Sequence, residues 1–79
     1  MSTLEKLNQV MCEVFEDDDL VVTRTTSARD VAAWDSVMHV TLMISVERAF
    51  GLRFKSGNVA GLKNVGELAD LIDRLKAGA

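Results

Sequence analysis

The apolar positions of this 79-residue chain gather in three blocks separated by polar stretches. In the first, Leu4, Leu7, Val10, Met11, Val14 and Phe15 recur at three- and four-residue spacing. This lays them on one side of a helix and predicts α-helix over residues 3–16. Ser2 or Thr3 can cap it, but Thr3 is followed by Lys6 where a capping box needs Glu or Gln. The acidic run Glu16-Asp17-Asp18-Asp19 is unfavourable at a helix C-terminus, so the helix is expected to stop there. In the second block, residues 36–50, Val37, Val40, Ile44, Glu47 and Phe50 lie along one side, widened by Met43 and Val46. Asp35 is the expected N-cap, and Gly51 supplies a left-handed stop. The third block predicts a helix over 65–76, with Val65, Leu68, Leu71, Ile72 and Leu75 as its buried stripe. Asn64 and Glu67 form a variant capping box, and Arg74 and Lys76 complement the dipole at its end.

Residues 17–34 form a long connection. Long loops in small domains are usually functional or tied down, and Leu20, Val21, Val22, Val31 and Trp34 are available to tie this one to a core. Thr23, Thr25, Thr26 and Ser27 favour turns and caps over helix interior. Leu20 to Thr23 could pass for a strand, but no second strand is available to pair with it. Residues 52–63 read as irregular. Leu52 and Phe54 can pack inward, while Gly57 and Gly61 leave room for one short helical turn at most. The expected fold is all-α: a small helical bundle of three main helices, a short irregular third helix between the second and the last, and a long first loop. Residues 1–79 make a single domain without internal repeats.

Charge narrows the function classes. The net charge is −3 and the pI about 4.9, which argues against nucleic-acid binding. The charge is uneven: residues 1–36 hold eight acids and three bases, net −5, and residues 37–79 hold four acids and six bases, net +2. Cys12 is the only cysteine, so an internal disulfide is impossible and a reduced, intracellular setting fits. Residues 1–9 show no signal-peptide core, and the apolar runs fall far short of a membrane span. A cytoplasmic monomer with no membrane insertion is expected. One histidine and one cysteine argue against a metal site, and the acidic run 16–19 lacks the spacing of a calcium loop.

The candidate chemistry sits at Trp34-Asp35-Ser36-Val37, where the polar loop turns into the second helix. Asp35 can accept one of the N–H groups that a helix start leaves without backbone partners. Ser36 then occupies the first helical position. A phosphate ester built on it would lie near the positive end of the helix dipole. No general base is obvious beside it, so the serine suits modification by another enzyme better than service as a nucleophile.

With these residues in view, the chain resembles the acyl carrier protein family of phosphopantetheine-binding domains over nearly its whole length. Asp35-Ser36-Val37 is similar to the family's Asp-Ser-Leu signature, with valine for leucine. Val40, Leu42, Val46, Glu47, Phe50 and Gly51 follow its second-helix pattern ending in Glu-x-x-Phe-Gly. Trp34 and His39-Val40 resemble a subset of carriers, and Asn64 to Leu68 matches the usual start of the last helix. The resemblance implies that Ser36 bears 4′-phosphopantetheine, donated from coenzyme A by a separate magnesium-dependent phosphopantetheinyl transferase. The prosthetic thiol then carries acyl intermediates as thioesters between acyl-transferring and acyl-modifying enzymes of fatty-acid, polyketide or related lipid biosynthesis. The carrier itself catalyses nothing. Asp35 and Val37 flank the attachment site. The outward residues Met38, Thr41 and Arg48 are the expected partner contacts, with Met38 exposed. Val40, Ile44, Leu62, Leu68 and Ile72 are the expected lining of an acyl pocket.

This chain also departs from the family pattern. Members serving general fatty-acid synthesis usually carry an acidic second helix, whereas here Met38, Thr41, Ser45 and Arg48 are the outward candidates. That points to more apolar contacts and a specialised partner set. Residues 55–62 carry no acid and two glycines, where the family usually has a short acidic helix; a mobile segment near the acyl mouth is expected. Two other readings compete. A serine hydrolase could use Ser36 with His39 three residues on, but Asp35 is already needed as the cap, and the G-x-S-x-G elbow is absent. A non-catalytic helical adaptor without the prosthetic group would use the methionines as a partner groove. Met11 and Met43 read instead as core, Trp34 as a core plug that fixes the loop, and Cys12 as a quiet half-buried thiol.

Overall fold

In a computed structural model of the chain, which describes residues 2–55 and 61–77, helices form at all three apolar blocks. They are α1 (Thr3–Val14), α2 (Ser36–Phe50) and α3 (Val65–Ala77). The described residues contain no strand. The short helical turn and the mobile segment expected around residues 56–60 lie outside the described residues.

α1 is the element on which both other helices pack. Leu7 and Met11 are fully buried and Val10 nearly so, while Leu4, Val14 and Phe15 pack at the margin of the core. The helix ends slightly earlier than its pattern suggests. Phe15 is the C-cap, and Glu16 takes a left-handed conformation with φ 53°. Its N-cap is Ser2, whose Oγ accepts from the Glu5 N–H at 3.1 Å and donates to Glu5 Oε1 at 3.2 Å. The glutamate partner missing for Thr3 is therefore present one residue earlier. Thr3 instead donates its hydroxyl to Asp73 of α3.

α3 buries Val65, Leu68, Leu71 and Ile72 as its spacing predicts, together with Gly66 and Ala69, while Leu75, expected in the same stripe, is only half-buried. Asn64 caps it by accepting from the Glu67 N–H at 2.9 Å. The core side of α2 matches the expected one only in part. Leu42, Met43, Val46 and Phe50 face inward, while Val37, Val40 and Ile44 are 74%, 59% and 46% exposed. α2 is apolar almost all round, so its periodicity alone does not choose a face.

The connection over residues 15–35 is held by side chains and carbonyls rather than by regular structure. Asn8 of α1 donates to the Leu20 carbonyl at 3.1 Å and accepts from the Val22 N–H at 2.6 Å. Cys12 donates its thiol to the same Leu20 carbonyl at 3.2 Å. Val22 and Trp34 are buried and Leu20 and Val31 half-buried, but Val21 points outward and is 78% exposed. In an extended stretch neighbouring side chains alternate sides, so Val21 and Val22 cannot both face the core. Thr26 Oγ1 accepts from the Thr23 N–H and Asp30 accepts from the Ser27 N–H, the turn-forming roles expected here. The loop also caps α3: the Thr26 and Arg24 carbonyls accept from the N–H groups of Val65 and Gly66, each at 2.8 Å. Outside the core, Arg24 pairs with Asp70 at 2.8 Å; this hydrogen bond and the carboxylate's charge raise the Arg24 guanidinium above its ordinary value.

Gly66 permits this approach. A Cβ there would stand 2.7 Å from the Arg24 carbonyl oxygen, a backbone atom that cannot swing aside. Gly66→Ala should therefore lower unfolding stability by roughly 1–3 kcal/mol, the range for forcing a methyl into filled space. Gly61→Ala, where a Cβ meets nothing within 4 Å, should stay within about 0.5 kcal/mol of the parent in the same urea titration. Equal midpoints for the two variants would show that the loop gives way freely.

Candidate functional site

The site begins where the loop is anchored by Trp34. This side chain is 9% exposed and packs beside Phe15, with ring centroids 6.3 Å apart. Its indole Nε1 donates to His39 Nδ1 at 3.1 Å, and the two rings lie nearly parallel. One end of α2 is thus tied to the loop that precedes it, in keeping with the role of plug read from the sequence.

Asp35 is the N-cap of α2. Its Oδ1 accepts from the Met38 N–H at 2.9 Å, and its carbonyl accepts from the His39 N–H at 2.8 Å. Ser36 follows as the first helical residue and is exposed. Among the described residues, no hydrogen bond involves its hydroxyl. The N–H groups of Ser36 and Val37 also lie open at the helix start, where no backbone acceptor exists for them. Ser36 shares an open depression of about 450 Å³ with Ala28, Trp34, Asp35 and His39.

This geometry removes the hydrolase reading. The carboxylate that would orient a base is committed to capping α2. The one histidine in reach has its Nδ1 taken by Trp34. Ser36 is displayed without an activating group, which is what a residue modified by a separate enzyme requires. Among the described residues there is also no cluster of three or more metal-ligating side chains.

The other expected site residues fall in different surroundings. Thr41 and Arg48 are exposed, but Met38 is half-buried rather than exposed. It sits about 100° round the helix from Val37. Val40 and Ile44 line a cleft of about 190 Å³ with Met43 and Phe54. Leu62 is half-buried in a separate depression beside Glu67 and Asp70. Leu68 and Ile72 lie wholly inside the core.

Two polar residues of α2 were named from the sequence without their structural roles. His39, read as part of a carrier pattern and as a discarded base, receives the Trp34 N–H. Glu47 was read on an apolar side and in the Glu-x-x-Phe-Gly pattern. Its Oε2 accepts from the Phe54 N–H at 2.7 Å, and its carbonyl accepts from the N–H groups of Gly51 and Leu52. Both are polar residues inside an apolar helix, and that position was the available signal.

A three-helix bundle that displays an unactivated serine at a capped helix start defines a carrier shape rather than a catalytic one. The phosphopantetheine attachment site family matches residues 5–72, and the chain belongs to that family. It is a carrier domain of a group whose prosthetic arm is phosphopantetheine, and it is not itself an enzyme. Among solved structures, it is similar to the holo acyl carrier protein from Geobacter metallireducens. The two are 46% identical, over 99% of this chain and 90% of that one, with a TM-score of 0.91.

The cap yields a direct test. Asp35→Ala should reduce stability by about 0.5–2 kcal/mol, whereas Asp35→Asn, an equivalent cap, should lose only a few tenths. Thermal or urea unfolding of the apo protein checks this. Equal losses in both variants would mean that the charge, not the accepted hydrogen bond, matters.

Proposed function

We propose that Ser36 is the attachment point, and that this protein is an acyl carrier whose 4′-phosphopantetheine moves acyl groups between the enzymes of fatty-acid, polyketide or related lipid biosynthesis. The observation that carries the reading is the Ser36 hydroxyl. It is exposed, has no hydrogen-bond partner among the described residues, and lies at the open N–H groups of α2. The residues present fit a phosphodiester at that position. The helix dipole favours its negative charge, and Asp35 has its carboxylate engaged with the Met38 N–H.

In the modification, the Ser36 oxygen forms the bond to the phosphorus of the pantetheine phosphate of coenzyme A. The pyrophosphate bond to the adenosine 3′,5′-bisphosphate leaving group breaks, and the serine proton passes to a base of the separate, magnesium-dependent transferase. Once attached, the group supplies a thiol for thioester chemistry. This chain's residues then hold the attachment point still. Asp35 fixes the first turn, Trp34 anchors the loop before it, and α2 offers its outer face to approaching enzymes. Thr41 and Arg48, with Met38 at the edge, are proposed contacts of those enzymes. We assign Val40 and Ile44 to the mouth of the acyl site and Leu62, Leu68 and Ile72 to the wall behind it. The last two would come into contact with an acyl chain only if the core parted. We place the carrier in the cytoplasm as a monomer. A single cysteine supports a reducing compartment, and no helix among the described residues is long and apolar enough to cross a membrane.

Intact mass after incubation with coenzyme A, magnesium and a broad-specificity phosphopantetheinyl transferase tests the proposal. The wild type should gain one phosphopantetheine and Ser36→Ala none. No gain on folded wild type, with this transferase or the one from the same organism, would favour a helical adaptor without the prosthetic group. A gain that persists in Ser36→Ala would move the attachment site elsewhere.

A further inference from the structure

The outer face of α2 is apolar where it leaves Ser36 and basic where it ends. Val37, Val40, Ile44 and Arg48 follow one another at three- and four-residue steps, with Thr41 beside them, three residues from Ile44 and four from Val37, so they form one stripe along the helix. With a rise of 1.5 Å per residue, the stripe runs about 16 Å from the attachment end. Its three aliphatic side chains are 74%, 59% and 46% exposed. At its far end Ile44, Arg48, Leu52 and Arg53 share a depression of about 370 Å³.

The charge around this stripe has one sign. Between Ser36 and Gly66 the sequence holds a single acid, Glu47. That carboxylate is turned to the Phe54 N–H, which it receives at 2.7 Å. Arg48 and Arg53 are exposed, and neither meets a carboxylate among the described residues. The other acids of the chain lie on α1, in the first loop and on α3.

We infer that the Val37–Val40–Ile44 stripe, ending at Arg48 and Arg53, is the docking surface for the enzymes that act on the Ser36 arm, and that those enzymes meet it with an apolar centre and an acidic rim. The inference rests on the carrier reading above and adds the chemistry of the partner. Charge complementarity selects carboxylates opposite the two guanidiniums, which also suit bidentate pairing. Three partly exposed aliphatic side chains are far less than the ~1,200–2,000 Å² of a stable interface, which favours a brief encounter over a permanent dimer. Since the stripe starts beside Ser36, whatever occupies it also reaches the arm.

The experiment measures phosphopantetheinylation of the full chain by the transferase from the same organism, as initial rates of mass gain over a range of carrier concentrations and sodium chloride. Arg48→Glu and Arg53→Glu should each raise KM by about tenfold with kcat little changed, since rim charges act on the encounter. Arg74→Glu, the same charge change on α3, should match the wild type. Ile44→Gln should also raise KM, with an unchanged far-UV circular dichroism spectrum and unfolding midpoint. Added salt should slow the wild type and leave Arg48→Glu unaffected. Unchanged or faster modification of the two arginine variants, or equal slowing by Arg74→Glu, would overturn the inference while the mass gain itself upheld the carrier reading. No mass gain on the wild type would overturn both. Concentration-dependent dimers abolished by Arg48→Glu would overturn it in favour of a second copy as occupant. Binding of the wild type, but not Arg48→Glu, to phosphatidylglycerol vesicles would overturn it in favour of a lipid surface.

Discussion

The contact on which this structure most depends is the seat of the long first loop against the start of α3. The connection over residues 15–35 contains no helix or strand, so its backbone groups must find partners elsewhere. The Arg24 and Thr26 carbonyls find them in the first N–H groups of α3, which themselves lack acceptors within the helix. One set of orphan groups satisfies the other. The exchange works only because residue 66 has no side chain to hold the strands of chain apart. Just before this point in the loop, Asn8 ties Leu20 and Val22 to α1 through two hydrogen bonds of its own. With residues 20–26 held against α1 and α3, and Trp34 buried and bonded to His39, the turn into α2 is set.

Much of this was legible in the sequence, and the failures have particular physical causes. α1 and α3 alternate apolar and polar sides cleanly, so their spans, to within two residues, and most of their buried residues could be read from spacing. α2 does not, because Val37, Val40 and Ile44 continue the apolar surface round the helix where a solvated face should be polar. Spacing then gave the helix and its buried Met43, Val46 and Phe50, but grouped the exposed Val37, Val40 and Ile44 with them. Gly66 reads locally as a weak helix residue, and only the incoming Arg24 carbonyl explains it. Asn8 looks like a surface residue flanking the stripe of α1, yet it reaches a loop twelve and fourteen residues away. The place of Ser36 was legible for a different reason. It depends on local order, a cap followed by the first residue of a helix, and local order survives in one dimension. The acyl pocket is a property of how helices meet, and its five expected residues came out in three surroundings.

The same reasoning explains why the serine needs nothing beside it. A nucleophile that acts within its own protein must be activated there, by a base that is itself oriented. A serine modified by a visiting enzyme must instead be reachable and fixed in place. Around Ser36 the polar groups serve the second demand. Asp35 holds the first turn, and His39 holds Trp34. On the role proposed for Ser36, a base next to it would add no benefit and would invite hydrolysis at the arm.

α2 is locked at its other end as well, and here the Glu-x-x-Phe-Gly pattern acquires a physical account. Gly51 takes φ 65°, the left-handed conformation that lets the chain leave the helix. The Glu47 carbonyl receives the two N–H groups that follow, and its carboxylate receives the one from Phe54. Phe50 turns into the core under the ammonium groups of Lys6 and Lys76, at 4.9 and 5.6 Å from its ring centroid, so α1 and α3 both close over it. A helix pinned by its cap, its C-terminal glycine and its buried phenylalanine has little freedom to rotate about its axis. Its apolar outer face is then a fixed surface rather than a fluctuating one. A fixed surface loses less entropy when an enzyme settles on it, so even a small apolar stripe can bind briefly and release.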